Sequence, residues 1–133
     1  MEPRVEYGSL TQNILVVDHA ALIRRRIEAS RTAYGYVTHS CADGLEAWTW
    51  LQTHPNPALM ITDIEMPGMD GFTLIERCRQ AGITIPILVI SSRLSEEWGK
   101  EARRLGATDY LTKGFSTTEL ISKVNTLLGS VAC

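Results

Sequence analysis

The chain has 133 residues, of which 44% are hydrophobic and 21% are charged, and its formal net charge is -2. This length and hydrophobic fraction predict a single folded domain with its own core, and they argue against a disordered chain. The charge is too close to neutral for a strongly basic nucleic-acid-binding surface. We therefore expect protein partners and no direct contact with nucleic acid.

Cysteine usage and hydropathy indicate the compartment. Cys41, Cys78 and Cys133 are far apart and form no CxxC pair, which is typical of reduced thiols with structural or incidental roles. The longest apolar runs are far shorter than the roughly 20 residues that cross a bilayer. No signal-peptide pattern opens the chain. We expect a cytoplasmic protein that does not associate with membranes.

Taken in chain order, residues 1–10 contain Pro3 and Gly8 without clear periodicity, as in an extension or linker. The folded domain is predicted over residues 11–130, followed by a short tail over 131–133. Within the domain, short apolar runs alternate with segments of helical period. The pairs are "ILVV" with "ALIRRRIEASRTAY", "YVTHS" with "GLEAWTWLQ", "ALMIT" with "GFTLIERCRQA", "PILVI" with "SEEWGKEARRLG", and "DYLT" with "STTELISKVNTLLG".

This alternation predicts an α/β fold, with five β/α units in a doubly wound parallel sheet that has helices on both faces. The strands are predicted to be covered on both sides, since the runs are apolar throughout instead of alternating. Helix-start signals agree with these boundaries. Asp43 and Asp70 occupy N-cap positions, and Ser116 with Glu119 forms a capping-box pattern.

Polar residues follow four of the predicted strands. They are Asp18 and His19 after the first strand, Asp63 and Glu65 after the third, Ser91 and Ser92 after the fourth, and Thr112 and Lys113 after the fifth. Ligands of such sheets bind at the carboxyl ends of the strands, so we expect these side chains at one edge. Clustered carboxylates favour a hard cation such as Mg²⁺, and a carboxylate beside a cation and a lysine can attack phosphorus. Neither GxxxxGK[ST] nor GxGxxG is present, so nucleotide binding is not expected.

The motifs resemble a known family. "ILVVD", "ITDIEMPGMDGF", "PILVISS" and "GATDYLTKGF", in this order, resemble the receiver domain of two-component response regulators over about residues 13–128. The resemblance implies a flavodoxin-like (βα)5 fold with strand order 2-1-3-4-5. It also implies a phospho-acceptor domain and not an enzyme, assisting at most its own phosphoryl transfer and dephosphorylation. The "SSR" segment is similar to receivers of chemotaxis-type hybrid histidine kinases.

By this resemblance, Asp63 accepts a phosphoryl group from a histidine kinase or a histidine phosphotransfer domain. Lys113 is its cationic partner, Ser91 is the switch hydroxyl, with Ser92 as the rival, and Tyr110 is the aromatic that changes rotamer on activation. Phosphorylation would change the face formed by the fourth helix, fifth strand and fifth helix. A downstream protein is expected to bind that face.

The resemblance further implies a Mg²⁺ site made by Asp18, Asp63 and the backbone carbonyl of Glu65. His19 stands where the family usually has a second, metal-ligating acid. Neutral imidazole is a poor ligand for Mg²⁺ and suits transition metals better, so we expect weak Mg²⁺ binding, with Mn²⁺ as the alternative ion. Three roles stay open for His19: a bystander, a substitute ligand, or a protonatable group that stabilises phosphate.

A second departure is Gly114 after Lys113, where the family usually has proline with a cis bond. Either this peptide is trans and Lys113 sits differently, or strain is kept there. The two departures leave open an alternative function, a degenerate receiver that binds proteins independently of phosphorylation. A hydrolase of the haloacid dehalogenase type also forms an aspartyl phosphate, but Glu65 is only a superficial match to its second acid.

Two groups of charged residues have alternative interpretations. The run Arg24 to Arg26 is predicted to be the solvated face of the first helix. Glu65 and Arg93, each two residues beyond a site residue, either overhang the site or form an ordinary surface pair.

Overall fold

The computed structural model describes residues 12–30, 36–93 and 95–129, in which strands and helices alternate along the chain. The strands are β1 (Gln12–Val17), β2 (Tyr36–Cys41), β3 (Leu59–Asp63), β4 (Ile87–Ser91) and β5 (Asp109–Thr112). The helices are α1 (Ala21–Ser30), α2 (Gly44–Thr53), α3 (Gly71–Gln80), α4 (Glu96–Leu105) and α5 (Thr117–Leu128). The predicted extension over residues 1–10 and tail over 131–133 lie outside the described residues.

All five strands form one parallel sheet in the order β2-β1-β3-β4-β5, which confirms the predicted topology. The central strands β3 and β4 are buried along their whole length. Strand β2 differs, because it lies at the edge of the sheet and alternates between half-buried and exposed positions up to Cys41. The prediction that every strand is covered on both sides is therefore wrong for β2.

Two apolar clusters hold helices to the two faces of the sheet. One packs residues of α2, α3 and α4 against Leu15 and Val17 of β1. The other packs α1 and α5 against Ile14 and Val16 of the same strand. Since alternate side chains of a strand point to opposite faces, each buried strand serves both clusters. Burying one such Leu, Ile or Val side chain contributes about 1.5–3 kcal/mol, so the sheet is a rigid frame for its strand ends.

Helix starts follow the predicted caps. The Asp43 and Asp70 carboxylates accept hydrogen bonds from the third backbone N–H of α2 and α3, and Ser116 forms the capping box with Glu119. The longest described helix has 12 residues. None of the helices in the described ranges combines the length and apolar character that a membrane crossing requires.

The thiols in the described part of the chain are buried and unpaired. Burial raises the pKa of Cys41 to about 12 and that of Cys78 to about 11, so neither thiol is a ready nucleophile at neutral pH. Cys133 lies outside the described residues.

Gly71 allows α3 to start directly against the end of β3. A Cβ at this position would lie 2.1 Å from the carbonyl oxygen of Asp63, while the Gly71 N–H donates to the carbonyl of Ile64 at 2.8 Å. No larger residue fits this approach without moving backbone. The glycine therefore sets how closely the helix approaches the strand end that carries Asp63.

Two glycine-to-alanine substitutions test this packing. Gly71→Ala should destabilise the fold by about 1–3 kcal/mol, because the added methyl group overlaps the backbone of β3. Gly114→Ala adds a Cβ that has no atom within 4 Å from the described residues other than its chain neighbours, so it should be neutral or stabilising by about 0.4–1 kcal/mol. Urea unfolding measures both, and equal effects of the two substitutions would contradict the packing argument.

Candidate functional site

A lysine ammonium joins two aspartates at the carboxyl edge of the sheet. Lys113 Nζ donates to Asp63 Oδ2 at 2.9 Å and to Asp18 Oδ1 at 3.2 Å. Asp18 directly follows β1, Asp63 ends β3 and Lys113 directly follows β5. Three strand ends therefore bring two negative charges and one positive charge together, as the sequence predicted for this edge.

Asp18 is fully buried and held by several hydrogen bonds. Its backbone N–H donates to the carbonyl of Cys41 at 3.1 Å, and its Oδ1 accepts from the N–H of Ala20 at 2.8 Å. Oδ2 lies 3.0 Å from Lys113 Nζ, but the geometry makes no hydrogen bond, so this oxygen has no donor among the described residues. Burial raises the pKa of the Asp18 carboxyl, and this effect outweighs the opposing hydrogen bonds from Ala20 and Lys113.

Asp63 is also nearly buried, with 5% of its surface exposed. Its Oδ1 accepts the N–H of Ile64 at 2.7 Å, while Oδ2 accepts from Lys113. The backbone thus fixes one oxygen and leaves the other beside the ammonium group. A carboxylate oriented in this way can act as a nucleophile towards an electrophile at the rim.

Lys113 reaches this position although Gly114 follows it. The Lys113–Gly114 peptide bond is trans, and the Lys113 N–H donates to the carbonyl of Ser91 at 3.0 Å. Burial lowers the pKa of the Lys113 ammonium, but the hydrogen bonds to Asp63 and Asp18 outweigh this, and the pKa is held above its ordinary value. The prediction left open a trans peptide or retained strain, and the structure has the trans peptide. Lys113 still contacts both aspartates.

A family model confirms the resemblance suggested by the motifs. The model of the response regulator receiver domain matches residues 14–125. The chain belongs to the response regulator receiver domain family. It is a receiver of two-component signal transduction, a signalling domain instead of a conventional enzyme, and receivers of this family generally bind Mg²⁺ at their phosphorylation site.

Relatives agree in sequence and in structure. The transcriptional regulatory protein PhoP of Escherichia coli is 33% identical over 115 residues, which cover 86% of this chain and 51% of PhoP. The alkaline phosphatase synthesis transcriptional regulatory protein SphR of Synechococcus elongatus is 31% identical over 129 residues, covering 91% of this chain and 50% of SphR. The chain thus spans about half the length of these curated relatives.

Solved receivers superpose closely on this chain. The receiver domain of the Francisella response regulator 1452 has a TM-score of 0.83 and 33% identity, covering 90% of this chain and 98% of that one. The Vibrio cholerae chemotaxis protein CheY4 has a TM-score of 0.81 and 29% identity, covering 89% and 99%.

The residues predicted for the receiver's switch lie on two neighbouring strands, Ser91 at the end of β4 and Tyr110 within β5. Ser91 is fully buried, and its Oγ accepts the N–H of Arg93 at 3.1 Å, whereas Ser92 is exposed. Tyr110 is half-buried, and the Arg103 guanidinium lies 5.1 Å from its ring centroid. No hydrogen bond among the described residues links Ser91 or Tyr110 to Asp63.

The donor set of the receiver fits a water-rich Mg²⁺ site. Mg²⁺ is usually bound through one or two carboxylates while keeping several waters, and Asp18 and Asp63 supply two carboxylates. The buried Oδ2 of Asp18 without a donor is the clearest candidate ligand atom. His19 is exposed, and within the described residues no third His, Cys, Asp or Glu joins a group able to hold a metal. The structure thus does not bring His19 to the aspartates.

Glu65 and Arg93 form an ion pair beside the site. Arg93 NH1 donates to Glu65 Oε2 at 3.0 Å, and the Arg93 guanidinium lies 5.4 Å from the ring centroid of Trp98. Both charged side chains are largely exposed, so the pair itself contributes about 0–1 kcal/mol of stability. Trp98 is partly buried and packs edge-on against Phe72 at 5.6 Å. The pair joins the loops after β3 and β4.

Sequence reasoning missed two residues that contact the loops of the site. Arg24 donates to the carbonyl of Asp18, and Arg26 donates to the carbonyl of Phe115 beyond Lys113. Both are partly buried, so the interpretation of Arg24 to Arg26 as a solvated face is wrong for these two. The missed signal is their spacing, since each lies three positions from a buried or partly buried isoleucine of α1, Ile27 or Ile23.

Removing either charge of the cluster should change stability in opposite directions. Lys113→Met leaves two buried carboxylates without their cation, so the free energy of unfolding should fall by about 3 kcal/mol at pH 7. Asp18→Asn removes a buried negative charge, so the free energy of unfolding should rise at pH 7.

The stability gained by Asp18→Asn should depend on pH. Because the folded-state pKa of Asp18 is raised, the folded protein holds the Asp18 proton more strongly than the unfolded chain does, and ionisation of Asp18 costs stability. The gain of Asp18→Asn over wild type should therefore shrink as the pH falls towards the ordinary carboxyl pKa of 3.8. Urea unfolding of both proteins between pH 7 and pH 3.8 measures this gain. A gain that does not depend on pH would contradict the raised pKa of Asp18.

Proposed function

We propose that this receiver accepts a phosphoryl group on Asp63 from the phosphohistidine of a histidine kinase or a histidine phosphotransfer domain. The observation that carries the proposal is the Lys113 ammonium, which contacts both Asp63 and Asp18 at the carboxyl edge of the sheet. The family membership supports a cytoplasmic setting and a histidine kinase as the upstream partner. Attachment to a hybrid histidine kinase stays a prediction.

In the transfer, an Asp63 carboxylate oxygen attacks the phosphorus, and a new O–P bond forms as the N–P bond of the phosphohistidine breaks. The leaving imidazole nitrogen keeps the bonding electron pair and takes a proton from water. Lys113 neutralises negative charge on the phosphoryl oxygens in the transition state. The hydrogen bond from the Ile64 N–H to Oδ1 keeps the carboxylate oriented throughout.

Asp18, Asp63 and the Glu65 backbone carbonyl are the proposed ligands of Mg²⁺. When bound, the ion would neutralise phosphoryl charge and orient the phosphoryl oxygens. The missing second acid at His19 removes one carboxylate from this donor set, which supports weak binding. Lys113 supplies a positive charge to the same pocket from the chain itself.

The proposed output face comprises α4, β5 and α5. Asp109 of β5 joins the three elements, since its carboxylate accepts from Arg103 of α4 at 3.1 Å and from Lys123 of α5 at 2.7 Å. Ser91 and Tyr110 are the proposed switch residues, and the Tyr110 ring lies against α4, with the Arg103 guanidinium 5.1 Å from its centroid. A downstream protein, and not nucleic acid, is the proposed partner there.

A phosphorylation-independent binding module is not favoured. That alternative was based on His19 and Gly114, yet the acceptor and the lysine are in contact despite both departures. The curated relatives carry names of transcriptional regulators, and this chain matches about half of their length. A transcriptional output through another segment or another chain is therefore a proposal for the whole protein.

Intact-protein mass after incubation with acetyl phosphate and Mg²⁺ tests the acceptor. Wild type should gain the mass of one phosphoryl group, and Asp63→Asn should gain none, because the nucleophilic carboxylate is gone. Asp43→Asn is the matched control, since asparagine caps α2 equally well and the Asp43 carboxylate accepts the Glu46 N–H, with no hydrogen bond to Asp63 or Lys113 among the described residues. An adduct on Asp63→Asn equal to that on wild type would refute Asp63 as the acceptor.

Restoring a carboxylate at position 19 tests the metal ligands. His19→Asp should tighten Mg²⁺ binding by about tenfold or more, because it adds a hard oxygen ligand beside Asp18. Calorimetric titration with Mg²⁺ measures this, and His54→Asp is a control that adds the same charge at an exposed position. Unchanged affinity in His19→Asp would show that position 19 does not contribute to the site.

A further inference from the structure

The three consecutive arginines of α1 differ in what they contact. Arg24 and Arg26 are partly buried and reach two different loops of the site, whereas Arg25 is exposed. In the described part of the chain, Arg25 forms no side-chain hydrogen bond or ion pair. Adjacent helical residues point in different directions, about 100° apart around the axis, so the three cannot serve one surface.

Arg24 holds the loop between β1 and α1. Its NH1 donates to the carbonyl of Asp18 at 2.6 Å and lies 3.3 Å from the carbonyl of His19. The Asp18 N–H donates to the carbonyl of Cys41, and the Asp18 Oδ1 accepts the N–H of Ala20. The backbone carbonyl of Asp18 takes part in neither bond, and it is this group that Arg24 contacts. A shift of this carbonyl would turn the Asp18 backbone and move the carboxylate attached to it.

Arg26 holds the turn between β5 and α5. Its NH2 donates to the carbonyl of Phe115 at 2.9 Å, and its guanidinium lies 4.4 Å from the centroid of the buried Phe115 ring. The Phe115 N–H donates to the carbonyl of Thr112 at 3.1 Å, which closes the turn containing Lys113 and Gly114.

Gly114 makes this contact important for Lys113. Apart from the two chain neighbours of Gly114, no described residue has an atom within 4 Å of a Cβ built there, so none of them packs against that part of the turn. Glycine also has more backbone freedom than any other residue, and a turn containing it loses more entropy when it is ordered. Arg26 supplies a restraint from outside the turn, one residue beyond the glycine.

We propose that Arg24 and Arg26 are positioning residues for phosphoryl transfer, because α1 uses them to hold the loops that carry Asp18 and Lys113. Neither residue contacts the reacting atoms. Arg24 positions the Asp18 carboxylate and therefore affects how tightly the cation binds. Arg26 acts through the Lys113 ammonium and therefore through charge neutralisation on the phosphoryl group. The kinetic part of the proposal rests on Asp63 as the acceptor.

The first measurement is residue-resolved amide hydrogen exchange by NMR, which needs no phosphorylation. Arg24→Ala should speed exchange in the loop over residues 18–20, and Arg26→Ala should speed exchange in the turn over residues 113–115. Arg25→Ala is the matched control and should change neither segment. Arg24→Lys and Arg26→Lys retain a cationic donor and should show smaller effects than the alanine variants.

The second measurement is the rate of Asp63 phosphorylation by acetyl phosphate across a Mg²⁺ series, with Asp63→Asn as the blank. A misplacement of about 1 Å can cost up to about 100-fold in rate, so we expect losses of about tenfold or more. Arg24→Ala should raise the Mg²⁺ concentration for half-maximal rate. Arg26→Ala should lower the rate at saturating Mg²⁺ without changing that concentration. The phosphorylation rate of Arg25→Ala should stay within about twofold of the wild-type rate, because substitutions of exposed residues generally have small effects.

A double-mutant comparison links Arg26 to the glycine. In a Gly114→Ala background the turn has less freedom, so Arg26→Ala should cost less rate than it does in wild type. Equal losses in the two backgrounds would refute a restraint that acts through the turn.

The outcomes separate this inference from the proposed function. Absence of wild-type phosphorylation, together with localised exchange in the arginine variants, would refute the proposed function and still support the holding of the two loops. Phosphorylation of wild type with the same loss in Arg25→Ala as in Arg24→Ala and Arg26→Ala would refute the positioning role. So would unchanged exchange and rate in all three alanine variants.

Discussion

The contact of the Lys113 ammonium with two buried carboxylates is the interaction on which the arrangement of the candidate site depends. Asp18 is fully buried and Asp63 nearly so, and burying two like charges side by side is costly without a cation between them. Lys113 offsets part of that cost at 2.9 and 3.2 Å. One positive charge facing two negative charges leaves the pocket with a net negative charge. Burial is the main reason that the pKa of Asp18 is raised, and the neighbouring Asp63 charge raises it further. The residual negative charge is what a divalent cation or a phosphoryl transfer partner would meet.

The three charges come together only because the strands are parallel and end at one edge. β1 and β3 pair directly, β3 pairs with β4, and β4 pairs with β5, so the ends of β1, β3 and β5 are separated by fixed strand spacings. The apolar clusters on the two faces keep those spacings rigid. The polar groups of the site are therefore carried on a frame that apolar packing holds together. The loops beyond the strands need separate restraints, and Gly71, Arg24 and Arg26 supply contacts there.

The two departures from the usual receiver motif have different physical consequences. Gly114 leaves the lysine in contact with both aspartates through a trans peptide, so that change affects the freedom of the turn more than the position of the charge. His19 is exposed and forms no metal-binding group with the two aspartates among the described residues, so the usual second acid is replaced by a side chain that does not join them. The frame of this chain, which carries both departures, superposes on two solved receivers with TM-scores of 0.83 and 0.81.

Much of this protein could be predicted from its sequence. Apolar runs and helical periods predicted the strands and helices, and the cap residues Asp43, Asp70 and Ser116 predicted helix starts, because these signals are local. The meeting of Asp18, Asp63 and Lys113 was also predictable, because parallel topology brings strand ends to one edge. The tertiary structure alone decided that edge strand β2 is half-exposed, that His19 stands apart, and that Arg24 and Arg26 hold the site loops. These features depend on strand position in the sheet and on where a long side chain finds an acceptor from another loop. The spacing of the two arginines from Ile23 and Ile27 could indicate their partial burial, but no local pattern specifies which carbonyl each one binds.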